Sequence, residues 1–199
     1  MANTLQLNKL NEMHNGLISV NSLIDAMITN QSAVHEAFDL TKSQKLYFSN
    51  LETSLVRIRA IYIDIVEIRT YLMIMNEVEK SDIDGLIDLI KGFVLNFVPE
   101  LDYKAFIEIV RILRYKYLYD NEVENNPLAR VVAEADIQEI YDNYQNHIVC
   151  GTQRIVDIIT LIVFAPEKLS HHKERLDVEL KTLSNHIDIF LSTLYTYYS

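Results

Sequence analysis

From Phe48 to Met75 the chain carries apolar residues at Phe48, Leu51, Leu55, Ile58, Ile61, Ile65, Ile68, Leu72 and Met75, in steps of three and four. A strand alternates its side chains with period two and cannot gather that set on one face. A helix of 3.6 residues per turn can. The one slip, three and three through Leu55, Ile58 and Ile61, alters the local winding without ending the helix. Val56, Tyr62, Ile63, Val66 and Ile74 widen the apolar surface beyond a narrow seam, so this helix is expected to lie centrally with several neighbours.

The same period recurs along the chain. Leu10, Met13, Leu17, Val20, Ile24 and Met27 form a first stripe, and Ile83, Leu86, Ile87, Ile90, Val94 and Phe97 a third, capped at Ser81 and closed near Pro99. Phe106, Ile109, Val110, Leu113 and Tyr117 follow, then Ala133, Ile137, Ile140 and Tyr144. Between those two the polar, aperiodic DNEVENNP, residues 120–127, predicts a loop that separates two helical subregions. Gly151-Thr152 offers a break and a new cap before the apolar run from Ile155 to Ala165. Pro166 can open the last helix, whose seam runs through Leu169, Leu176, Leu180, Leu183, Ile187, Phe190, Leu194 and Tyr197.

Only 4 Gly and 3 Pro interrupt 199 residues, which favours long helices. The reading is all-α: one domain over 1–199, with about six or seven helices, several long, in antiparallel bundle-like packing. A chain of this length buries roughly 70% of its unfolded surface, enough for a sizeable core.

The run Ile155–Ala165 is too short to cross a bilayer, which takes about 20 apolar residues, and Asp157 interrupts it. It reads as interior helix, and no membrane association is expected. A net charge of −10 and pI near 5.0 oppose non-specific attraction to nucleic acid or anionic lipid. The single Cys150 cannot close an internal disulfide, and the first residues lack an apolar signal-peptide core. An intracellular, cytoplasmic setting follows as the expectation. Twelve Tyr without any Trp, with abundant Asn and Ile, is the bias of A/T-rich genomes, phages and mobile elements among them.

Motifs that bring chemistry are scarce. There is no GxGxxG or GxxxxGK[ST] phosphate loop, no GxSxG nucleophile turn and no CxxC pair, so no cofactor is expected. The Glu-x-x-His pairs of di-iron bundles are missing too. So are the closely spaced Arg and His that helical ribonucleases use. A weak metal set is Glu167, His171 and Glu174, which share one face if the helix starts at Pro166. A weak nucleic-acid face is Lys104, Arg111, Arg114 and Lys116, within a stretch that interleaves basic and aromatic residues. Asp120, Glu122 and Glu124 would oppose it.

Asp64, Glu67, Arg57 and Arg69 sit among apolar residues and read as a solvated edge of the central helix. Asp157 is expected to pair with Arg154 or with another helix. Cys150 reads as a small buried hydrophobe, with His147 three residues earlier the only nearby base. Tyr195, Tyr197 and Tyr198 end the chain with more aromatic surface than one core can absorb, so they are candidates for contact with another protein. The leading expectation is a non-enzymatic protein that binds a protein partner or itself through helical faces. The alternatives are an enzyme with a metal-assisted site at Glu167, His171 and Glu174, and a nucleic-acid binder using the 104–116 face.

Overall fold

A computed structural model describes residues 4–75, 80–118 and 127–198, with side chains for 4–75, 82–114 and 135–198. Seven α-helices account for almost all of it: α1 Thr4–Ala37, α2 Lys42–Ile74, α3 Lys80–Leu95, α4 Tyr103–Leu118, α5 Pro127–Asp142, α6 Cys150–Phe164 and α7 Leu169–Tyr195. A π-helical segment, Asn143–Val149, joins α5 to α6, and a 3-10 turn, Pro166–Lys168, precedes α7. No strand occurs among the described residues. Lys116, Tyr117 and Ala133 lie outside the described side chains, and the expected loop at 120–127 lies outside the described residues up to Pro127, which opens α5.

All nine residues of the Phe48–Met75 stripe are buried, which makes α2 the axis of the fold. A capping box starts this helix. The Gln44 amide donates to the Thr41 hydroxyl while the Thr41 amide donates to Gln44 Oε1, an arrangement typically worth about 1 kcal/mol. Around α2 the helices form antiparallel rods. α3 and α4 follow one another along it, because Tyr71 meets Asp82, Asp64 meets Asn96, and Gln44 meets Glu108. Residues 96–102 interrupt this rod. Pro99 lacks an N–H and forces an extended residue before it, and Asp102 Oδ1 then accepts the Ala105 amide at 2.9 Å to start α4.

The next rod, α5 through the π segment to α6, runs against α7 in one register. Tyr144 faces Phe190, His147 faces His186, Gly151 faces Leu183 and Arg154 faces Glu179. α3 touches α6, and α2 touches α7, closing a four-rod bundle on which α1 packs against α2 and α7. The apolar side chains form one connected core.

Two tyrosines of α2, nine residues apart and so on opposite sides of the helix, set the spacing to its neighbours. The Tyr62 hydroxyl lies where a Cβ on Gly16 of α1 would project, and the Tyr71 hydroxyl does the same at Gly85 of α3. Both glycines sit inside helices, where they cost roughly 1 kcal/mol against alanine. Close approach of a neighbouring ring explains their presence. The Tyr62 hydroxyl donates to Asp188 Oδ2 on α7 at 3.3 Å, so Gly16, Tyr62 and Asp188 tie three helices together.

Burial raises the Asp188 carboxyl to about 6, only partly offset by the Tyr62 bond. A folded pKa above the unfolded value means that the native state binds more protons between about pH 4 and 6. Stability is therefore expected to fall as pH rises through that window, by on the order of 1–2 kcal/mol once solvent screening is allowed for. Asn at 188 keeps an acceptor for Tyr62 and cannot ionise. Urea unfolding from pH 4 to 7 is expected to show this slope in the native chain and its loss in Asp188→Asn. An unchanged slope in the variant would assign the effect to another group.

Four sequence expectations need correction. Gly151-Thr152 makes no break: both are buried, Thr152 Oγ1 donates to the Ile148 carbonyl, and the helix continues through them. α3 begins at Lys80, so Ser81 falls within its first turn rather than ahead of it. The buried stripe of α3 runs Leu86, Ile90 and Phe93, while Val94 is exposed, as is Phe97 beyond the end of the helix. Ile155–Ala165 is interior on one side only. Ile155, Ile158, Ile159 and Ile162 are buried, whereas Leu161, Val163 and Phe164 face outward.

Candidate functional site

The π segment lies at the waist of the molecule, opposite the interrupted rod. An i→i+5 turn admits an extra residue and redirects the side chains that follow. Two tyrosines here answer the backbone groups that the 96–102 link leaves without helical partners: Tyr144 Oη donates to the Pro99 carbonyl and Tyr141 Oη to the Leu101 carbonyl. Tyr144 is fully buried, with its ring 5.2 Å from that of Phe190. Burial pushes the Tyr144 hydroxyl far above its ordinary value, which keeps it a neutral donor.

Beyond this waist a groove of about 840 Å³ opens between α5 and α7. Ile140, Ile189, Phe190 and Tyr197 give it an apolar floor, and Asp136, Glu139 and Asp142 form a carboxylate edge along α5. No Lys or Arg lines it among the described residues. Ile189 is 55% exposed beside the buried Phe190. Gln138 donates to Asp142 Oδ1 at 2.8 Å along the α5 edge. Asn143, the first residue of the π segment, also lines the groove, and its Oδ1 is buried without a hydrogen-bond donor among the described residues.

At the waist end the His147 and His186 rings stack with centroids 4.1 Å apart and planes 4° from parallel. Burial first, then His147 and Arg154, hold the His186 imidazole below its ordinary pKa, so it is neutral at neutral pH. At the other end Arg114 lowers and Asp136 raises the Tyr197 hydroxyl pKa, and burial raises it more than either.

The residues singled out in the sequence are scattered. Glu167 belongs to the 3-10 turn and α7 starts only at Leu169, so the even helical spacing from Glu167 to His171 is lost. Glu167, His171 and Glu174 are all exposed, His171 meets His172 edge to face, and no group of three metal-ligating residues comes together among the described residues. Lys104 and Arg111 are exposed on α4, while Arg114 is half-buried with its Nη1 enclosed. Lys116 lies outside the described side chains.

Tyr198 is buried, accepting from Gln31 Nε2 at 3.0 Å through its hydroxyl and from Asn30 through its carbonyl, so it locks the chain end onto α1 and offers no free surface. Tyr195 and Tyr197 remain half-buried. Cys150 is exposed rather than buried, and His147 spends its ring face on His186. Asp157 is exposed and accepts from Gln153, not from Arg154, which reaches Glu179.

The charges of α2 divide. Arg57 and Glu67 face solvent as expected. Arg69, however, has only 12% of its side chain exposed and pairs with Asp177 at 2.8 Å. Asp64 accepts from Asn96 at 2.7 Å, and burial raises its carboxyl despite that bond. A smaller hollow of about 300 Å³ near Lys9, Arg69 and Lys173 offers little for an anion. Arg69 is already paired there, and Lys173 Nζ donates to the Met75 carbonyl.

The continuous helix Ala135–Phe164 is long and apolar enough, by length and composition alone, to span a bilayer. Its isoleucines are buried against the bundle, as in a core helix. No known protein family, curated protein or solved structure matches this chain.

Proposed function

We propose that this protein is a non-catalytic interaction or assembly protein that holds a segment of a protein partner along the α5/α7 groove. The observation that supports the reading most is Ile189, a large aliphatic side chain more than half exposed in a concave surface, next to a fully buried Phe190. Apolar anchors in grooves of this kind are the usual sites of helix docking. Among the described residues no Ser, Cys or Thr side chain is hydrogen-bonded to His147 or His186, whose rings stack on each other. That arrangement supports binding over catalysis.

A photo-crosslinking residue placed at 189 is expected to trap a discrete protein partner in the native host, and Ile189→Asp to abolish binding of that purified partner. Position 178 is the control, because Val178 is equally exposed on α7 but does not line the groove. Equal trapping from both positions, or from neither, would remove the reading. Sedimentation of the pure protein tells whether the partner is a second copy.

A further inference from the structure

We infer that the α5/α7 groove selects a cationic, amphipathic helix of about three turns, an inference that rests on the docking reading above. Length is the first argument. The α7 wall runs from His186 to Tyr197 and the α5 wall from Ala135 to His147, spans of about 16–18 Å at 1.5 Å per residue, equal to some eleven or twelve residues of helix. The second argument is the floor. Ile189 and the half-buried Tyr197 ring present apolar surface over the buried Ile140 and Phe190, a match for the apolar stripe of an amphipathic helix.

Charge supplies the third argument. Asp136, Glu139 and Asp142 recur every three residues along one edge, and no Lys or Arg lines the groove among the described residues. Lysines or arginines at steps of three or four on the incoming helix would meet each carboxylate in turn. A net charge of −10 on the whole chain steers such a segment and repels acidic competitors. At the waist end the Asn143 Oδ1 is enclosed and has no donor among the described residues. The neutral His186 adds no charge at that end, while at the far end Arg114 and Asp136 both act on the Tyr197 hydroxyl.

Three fluorescent helical peptides of fourteen residues test this, sharing one Leu/Ala apolar stripe and carrying Lys, Ser or Glu on its flank. Fluorescence anisotropy with the full chain at low salt is expected to rank Lys above Ser above Glu, by at least tenfold from first to last. Affinity for the Lys peptide is expected to weaken with added salt. The triple variant Asp136→Lys, Glu139→Lys, Asp142→Lys should invert the order. These positions lie on a solvent-facing edge, and circular dichroism of the variant checks that it folds. Equal binding of all three peptides, abolished by Ile189→Asp, would overturn the charge selection and leave the docking reading standing. No binding by any peptide, or binding unaffected by Ile189→Asp, would overturn both.

Discussion

Truncation of Tyr144 to alanine is expected to cost about 3–5 kcal/mol of unfolding free energy, as for large aromatic residues removed from a core. The ring is fully buried, packs on Phe190 and carries the hydroxyl that meets the Pro99 carbonyl. Two losses are superimposed, and a second variant separates them. Tyr144→Phe keeps the ring and deletes only the donor, leaving a carbonyl in the 96–102 link without this partner, and should cost about 1–2 kcal/mol. Urea midpoints followed by circular dichroism give both numbers. If the alanine variant loses less than the phenylalanine variant is expected to lose, then the waist is not packed as described. The equivalent removal of the Tyr141 hydroxyl should be milder, because its ring is only half-buried although it serves Leu101 in the same way.

Gly16→Ala is the second substitution with a large expected effect, and its sign runs against helix propensity. In an exposed helix, alanine in place of glycine would gain roughly 1 kcal/mol. Here the added methyl falls on the Tyr62 hydroxyl, which cannot swing aside because Tyr62 is buried and bonded to Asp188. Overpacking of this sort costs typically 1–3 kcal/mol, so a net loss of about 1–2 kcal/mol is expected. Tyr62→Phe removes the obstructing oxygen. In that background the same glycine substitution should become neutral or stabilising, and the double-mutant cycle reports the coupling directly. Additive effects of the two changes would mean that α1 is not seated on Tyr62.

The parts of this fold that could be read in the sequence are those set by local periodicity. The stripe from Phe48 to Met75 is buried at every position, because a helix with neighbours on several sides tolerates little error in its face. The stripe of α3 is less well specified. With Val94, Leu95 and Phe97 all apolar near Phe93, composition does not choose among them, and the packing of α3 in the bundle buries Phe93. Gly151 resembled a terminator, yet its lack of a side chain serves instead to let Leu183 of α7 come within 3.3 Å of where a Cβ would stand.

The groove was not legible at all. Its two walls come from residues about fifty positions apart in the chain, and the His147–His186 stack depends on the register between rods, which no local pattern encodes. The π segment has no composition signal in NYQNHIV. Glu167, His171 and Glu174 do not share one regular helical face for a local reason, the 3-10 turn at Pro166–Lys168, which sequence spacing cannot tell from a first α-helical turn.

The wide turn between Asn143 and Val149 has a consequence for how this surface can change over generations. A π turn accommodates one residue more than an α turn does, and each residue turns a helix by about 100°. Deleting a single codon there would let the rod heal into plain α-helix. Because the wide turn takes up the extra residue, the helix on either side would keep nearly the facing it has now, and Asp136, Glu139 and Asp142 would stay beside α7. The change would fall instead within the turn, on Asn143 and His147 at the waist end of the groove, so lineages could lose the extra residue and still keep the carboxylate edge.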